Sequence, residues 1–223
     1  MDDIGWYSSE SPKDAAAQGI ESVRLFSYVV RWDHGFAPNP FYGFCSVATC
    51  KPDIRKVACI GDYVLGTGSA SRQLAGNVVF FMQVNEIITF DQYWSDPRFV
   101  RRRPVMNGSL QQRFGDNIYH RENGKWIQAD SRHSQLGSQP NSKNLQRDTG
   151  KTERVLLSNK FIYWGGEGPK VPARLSDFVH HTPGHRSFFP EGDIQRFLTW
   201  IQTYNVAGQV SDPVEWRFER WWR

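Results

Sequence analysis

The chain has 223 residues, of which 39% are apolar, 14% aromatic and 22% charged, so one domain, or one domain with a C-terminal appendage, can bury a proper core. The formal net charge of +4 permits phosphate binding without requiring it, and no apolar run is long enough to span a bilayer. The cysteines, Cys45, Cys50 and Cys59, are odd in number and lack the paired spacing of a zinc ribbon; no metal or cofactor is expected, and a reducing cytoplasm is the simplest setting.

Residues 1–22 are polar and expected to be poorly structured, apart from one short helix after Ser11. Their start, Met-Asp-Asp-Ile, has neither the basic nor the apolar region of a signal peptide. Residues 24–32 read as the first strand, in which Leu25, Ser27, Val29 and Arg31 alternate with a more aromatic face of Phe26, Tyr28, Val30 and Trp32. After an Asp33-His34-Gly35 turn and an aromatic loop, a strand over residues 60–66 runs into Gly66-Thr67-Gly68-Ser69. Residues 77–90, rich in Val, Ile and Phe, read as a central strand that bends. Pro97 and Pro104 punctuate residues 93–106, where Arg98, Arg101, Arg102 and Arg103 predict an exposed connection.

Residues 117–120 and 126–128 flank Glu122-Asn123-Gly124-Lys125 and predict a hairpin. The polar, aperiodic stretch 131–152 reads as a mobile loop, a lid or an excursion. An apolar strand over 154–164 follows, then a helix over 192–204 with Ile194, Phe197, Leu198 and Ile201 on one face. The tail, residues 205–223, mixes Trp216, Trp221 and Trp222 with cations and is expected to dock on its own domain, since an exposed aromatic tail invites association. Strands outnumber helices, which predicts an α+β, mostly β architecture with helices at its margins.

The segments VACIGDYVLGTGS, VVFFMQVNEIITFDQYW and DPRFVRRRPV are similar to the EVE, ASCH and PUA-like β-barrels. More specifically, YVVRWDHGFAPNPFYGFCSVATCKPDIRK, GDYVLGTGS, GDNIYHRENGKW and GHRS resemble the second nucleotide-modification-associated domain family over most of residues 28–187. The resemblance implies a PUA/EVE-like barrel with peripheral helices over residues 23–204, in bacterial or phage systems that make or recognise modified nucleotides, including defence. The partner so implied is a nucleotide or modified nucleic acid, DNA favoured over RNA, with no membrane involved. The resemblance supplies no reaction, since one fold hosts many chemistries.

Pro38 and Pro40 restrict the loop after Asp33 and can hold Phe36, Phe41 and Tyr42 as a stacking surface for a base; an aromatic plug at one end of the fold is the competing reading. Lys51, Arg55 and Lys56 could meet a phosphate or form a solvated turn. Cys50 could act as a nucleophile beside these cations, but no base accompanies it locally, and a structural thiol is the favoured reading. Thr67 and Ser69 could present hydroxyls to an anion. Thr149-Gly150-Lys151-Thr152 is not a P-loop, because Leu145 replaces its first glycine.

His185, after the broken stretch His180-His181-Thr182-Pro183-Gly184, is the leading catalytic candidate, with Arg186 beside it as a ligand contact, and His133 is a second possible acid or base. The resulting expectation is a ligand pocket in which Trp32, Phe36 and Phe41 stack on a base, Asp33, Asn39 and Asn117 read its edge, and Lys51, Arg55, Thr67 and Ser69 face phosphate or sugar. His185 and Arg186 complete it. The alternatives are an enzyme that modifies or hydrolyses a nucleotide with His185 or His133 as acid/base, and a protein-interaction module built on the C-terminal tryptophans.

Overall fold

The computed structural model describes residues 23–219. Strand β1 (Leu25–Val30) pairs in parallel with β3 (Tyr63–Gly68), which continues antiparallel to β4 (Val78–Gln83) and then β9 (Phe161–Tyr163). A short β10 (Gly208–Gln209) joins β9 in parallel and ends this five-stranded sheet, whose order is β1-β3-β4-β9-β10. A second sheet holds β2 (Cys45–Val47), β8 (Arg154–Ser158) and β5 (Glu86–Thr89), all antiparallel. Strands β6 (Tyr119–Glu122) and β7 (Lys125–Gln128) form a separate hairpin. Its turn residues Asn123 and Gly124 have φ of 50° and 76°, the left-handed pair that a two-residue hairpin turn requires.

Period-two alternation divides the core into layers. Leu25, Tyr63, Leu65 and Phe81 face helix α5 (Glu191–Gln202), meeting its Ile194, Phe197, Leu198 and Ile201. Phe26, Tyr28, Val64, Phe80 and Met82 point the other way, onto Val47 and Leu156 of the second sheet. Val155 and Leu157, one residue out of phase with Leu156, bury the far face of that sheet against Tyr119 of the hairpin and Phe90 and Tyr93 of helix α2 (Phe90–Ser95). Gly66 permits the middle layer to close, since a Cβ there would lie 2.3 Å from the Phe80 ring and 2.7 Å from Val30.

The mixed, strand-rich α+β class agrees with the sequence, but the barrel does not: among the described residues the sheets stay separate and open. The run expected as one bending strand is β4, a break at Val84-Asn85, β5 and then α2, whose Thr89 cap accepts from the Gln92 N–H at 3.2 Å. The run 154–164 likewise breaks at Asn159-Lys160 into β8 and β9. Nor is the arginine-rich stretch wholly exposed. Arg102 is fully buried, donating to Asn39 Oδ1 at 3.0 Å and Ser46 Oγ at 2.6 Å, with Asp116 at 3.6 Å.

The polar stretch expected as a loop contains helix α4 (Ser142–Thr149), which follows α1 (Pro52–Val57), α2 and α3 (Leu110–Arg113) in the chain. Asn141 caps it, its side chain accepting from the Asn144 N–H at 3.1 Å. Within the tail, Trp216 begins α6 (Trp216–Glu219), stacks on Phe41 with centroids 5.3 Å apart, and donates through its indole N–H to His34 O at 2.9 Å. Residues 1–22, with their expected short helix, and Trp221 and Trp222 lie outside the described residues.

Candidate functional site

Between β2 and α1 the backbone makes two consecutive left-handed residues, neither of them glycine: Cys50 with φ 58° and Lys51 with φ 42°. Each costs roughly 1–3 kcal/mol and persists only where the surroundings over-determine it. Here Asp148, near the end of α4, accepts the Cys50 N–H at Oδ1 (2.9 Å). The buried Arg55 guanidinium fixes the other side, donating to Cys50 O at 2.9 Å, Arg154 O at 2.7 Å and Asp148 O at 2.5 Å. Burial pushes the Arg55 pKa down to about 10, so it remains a cation at neutral pH. The strained turn is thereby anchored to helix α4 and strand β8.

His133 lies beside this turn. Its Nε2 is 3.9 Å from Cys50 Sγ, and its Nδ1 is 3.1 Å from Asp148 Oδ2. The same carboxylate accepts from Tyr119 Oη at 3.0 Å and from Arg147 Nε at 2.8 Å. Phe36 meets the His133 ring edge-on with centroids 4.6 Å apart, and Asn144 Nδ2 donates to His133 O at 2.9 Å, so both ring and backbone are located by packing. Burial works against the imidazolium, but the hydrogen bond to Asp148 and the contact with Cys50 hold the His133 pKa above its ordinary value. For Asp148 burial favours the acid, yet His133 and Arg147 outweigh it and keep the carboxyl ionised well below the usual range.

Cys50 and His133 open on a cavity of about 690 Å³, which Arg31, Lys51, Arg72, Arg132 and Arg147 also line. The one carboxylate in its lining, Glu215, is taken by Arg72 through two hydrogen bonds of 2.7 Å. Trp32 lines the cavity half-exposed, with the Arg72 guanidinium 4.6 Å from its ring centre. Tyr28 lines it too, and its buried hydroxyl has no hydrogen-bond partner within the described protein. A second cavity of about 470 Å³ shares Val29, Arg31 and Lys51 with the first and continues past Ser69 and His181. Lys51 stands between them, its Nζ 4.2 Å above the Tyr28 ring and donating to Gly184 O at 3.2 Å. Among the described residues no group of three or more His, Cys, Asp or Glu side chains is placed to hold a metal ion.

Of the residues singled out from the sequence, Trp32, Phe36, Cys50, Lys51 and His133 line the main cavity and Ser69 the second. The others are placed elsewhere. Asp33 is buried and accepts from Tyr163 Oη at 2.6 Å and Val214 N at 3.1 Å; burial raises its pKa to about 6. Asn39 and Asn117 donate to main-chain carbonyls, at Phe114 O (3.0 Å) and Tyr93 O (2.7 Å) respectively. Phe41 lies under Trp216, Thr67 has a buried hydroxyl without a partner, and Arg55 braces the Cys50 turn.

His185 lies with its ring centre 5.9 Å from that of Phe26, and Arg186 extends over Phe189 at 5.0 Å; neither lines either cavity. Sequence reasoning missed Asp148, Arg147 and Tyr119 altogether. The available signal was a Cys-Lys-Pro start to a helix, which places a thiol at a tight turn, and Asp148 as the one carboxylate in the polar stretch 131–152.

No helix among the described residues is long and apolar enough to cross a membrane. No curated protein and no solved structure matches the chain significantly. The family model for nucleotide modification associated domain 2 matches residues 22–220, through the C-terminal tail that the sequence resemblance left out, and the chain belongs to that family.

Proposed function

We propose that the main cavity binds a nucleotide or a modified nucleobase carried by one, in the service of nucleotide modification. Family membership ties the chain to that context. The observation that carries the reading is charge: Arg31, Lys51, Arg72, Arg132 and Arg147 surround one cavity whose lining, among the described residues, holds a single carboxylate, already paired. Such a site attracts phosphate, and guanidinium forks match its geometry. Trp32 offers a face on which a base can stack, a contact worth about 1–3 kcal/mol, and the Tyr28 hydroxyl offers an unused hydrogen bond. His133, not His185, is the acid/base candidate that belongs to this cavity.

The test is calorimetric titration of the full chain with deoxynucleoside and ribonucleoside 5′-monophosphates, and with a short single-stranded DNA, at low salt. Binding should weaken with added salt, and Arg132→Ala should lower affinity on the order of tenfold while flattening that dependence. Tighter binding of the deoxy series would support the DNA preference of the sequence reading. Absence of binding by every probe, or an unchanged affinity in Arg132→Ala and Lys51→Ala alike, would overturn the proposal.

A further inference from the structure

We propose that Cys50 is a nucleophile and that Cys50, His133 and Asp148 form a proton relay for acyl transfer. The assignment rests on the nucleotide reading of the cavity only for its substrate, an amide or ester substituent carried by a nucleotide. Three observations converge. Cys50 sits at a strained turn that points it into the cavity lining, His133 stands between its sulfur and a carboxylate, and that carboxylate also holds the Cys50 backbone. Sulfur, base and orienting group are thus tied together by one buried side chain. A thiol with a purely structural role needs neither the left-handed backbone nor a histidine at the cavity wall.

The Cys50–His133 separation of 3.9 Å is at the outer limit for a sulfur hydrogen bond, as is common before a substrate closes on a site. In the first half-reaction, Cys50 gives its proton to His133 Nε2 as the sulfur bonds to the carbonyl carbon. The tetrahedral adduct collapses, the carbon–nitrogen or carbon–oxygen bond breaks, and the departing amine or alcohol takes the proton from His133. Water then attacks the thioester, His133 accepts its proton, and that proton returns to sulfur as the carboxylic acid leaves. Net, an amide or ester and water become an acid and an amine or alcohol, with no change of oxidation state.

Acyl chemistry is favoured over simple addition to a base because an Asp-oriented histidine serves two successive transfers, one from the attacking thiol and one to a leaving group. Addition without a leaving group would use only the first. Charge on the carbonyl oxygen would develop among Lys51, Arg132 and Arg147, cations of the same cavity. Asp148 and Arg55 are positioning residues, acting through His133 and the Cys50 turn.

Cys59 supplies an internal control, being exposed and 3.3 Å from the Arg24 guanidinium, while Cys45 is fully buried. The full chain is incubated with p-nitrophenyl acetate, nitrophenolate release is followed, and acetylated cysteines are located by peptide mass spectrometry. Cys50 should acetylate at least about tenfold faster than Cys59 near neutral pH, and His133→Asn should slow Cys50 on the order of 10²-fold without altering the Cys59 rate. Cys59 reacting as fast as Cys50 in the unaltered protein, or a Cys50 rate indifferent to His133→Asn, would overturn the relay. Deoxynucleoside monophosphate binding is measured in parallel on the unaltered chain. An unreactive Cys50 with nucleotide binding intact would sink the relay alone, whereas a reactive Cys50 in a protein that binds no nucleotide would support the relay and remove only the proposed substrate.

Discussion

Two polar clusters, built from nearly the same side chains, touch the loop after β1. In one, Arg102 and Asp116 are both fully buried with Tyr93 and Ser46. Tyr93 Oη donates to Asp116 at 2.8 Å, and the guanidinium also spends its hydrogen bonds on the carbonyls of Phe41 and Phe44. In the other, Arg147 and Asp148 are joined by Tyr119 and His133, but His133, Arg147 and Cys50 also line a cavity. The first cluster is sealed, so its polarity can only locate the loop. The second has an exit, with Asp148 buried but Arg147 exposed, so its charged groups stay within reach of a ligand. Buried charge alone therefore does not mark a site, since residue type is shared and access is not.

Removing the sealed arginine should have the largest effect. Arg102→Met leaves Asp116 and the loop carbonyls without their donor, and a loss of about 3–5 kcal/mol in denaturant unfolding is expected. A loss under about 1 kcal/mol would show that the sealed network contributes little to stability. Asp148→Asn should cost less, about 1–3 kcal/mol, because one acceptor oxygen survives and the cavity admits water.

The pH signature of Asp148→Asn separates the clusters better than its size. The depressed Asp148 pKa means its stabilisation is present above the unfolded carboxylate value and disappears as pH falls through the folded one. The raised His133 pKa means its contribution is full below the unfolded value of about 6.5 and is lost as pH rises through the folded one. Both dependences should vanish together in Asp148→Asn, and the His133 pKa, read by NMR, should fall. An unmoved His133 titration would disconnect the pair.

How far the sequence alone reaches follows the same division between local and distant contacts. Strand β1 is legible because its alternating faces meet two different layers, and the hairpin because Asn123-Gly124 demands one turn type. The breaks at Val84-Asn85 and Asn159-Lys160 were smoothed over, since each run is apolar on average although Gln83, Asn85 and Glu86 interrupt one and Ser158-Asn159-Lys160 the other. Helix α4 was hidden for the opposite reason: Leu145 is its one apolar residue, too few for a periodic stripe. That helix carries Asp148, the carboxylate that meets both His133 and the Cys50 N–H, and with it invisible nothing brought those two residues together. His133 is 83 residues from Cys50 and Asp148 is 98, so no local spacing could announce the cluster. Asn39 and Asn117 suffered the reverse error, polar residues near a loop whose hydrogen bonds turn inward.

His34 lies where the two clusters meet and gives the smallest test. Its ring stacks on Phe114, whose carbonyl accepts from Asn39 beside Arg102, while Arg132 of the cavity approaches its Nε2 at 3.5 Å. Burial, then Arg132 and Arg72, lowers its pKa to about 4. The unfolded chain protonates this histidine near pH 6.5 and the folded one does not, so its contribution is complete above that value and declines as pH falls towards 4. Asp33 works in the opposite sense: with its folded pKa raised to about 6, the native state gains stability as pH falls from 6 to 4. Over this window the His34 and Asp33 contributions therefore oppose each other, His133 acting in the same sense as Asp33 and His185 in the same sense as His34. His34→Phe keeps a ring against Phe114 and removes one of them, so the variant should gain on wild type by about 1 kcal/mol between pH 7 and pH 5, allowing for solvent screening of a partly buried ring. Thermal unfolding at the two pH values measures it. Parallel profiles would mean that His34 takes up its proton as readily in the folded state as in the unfolded one, and that the cavity's positive field does not extend to the boundary with the sealed cluster.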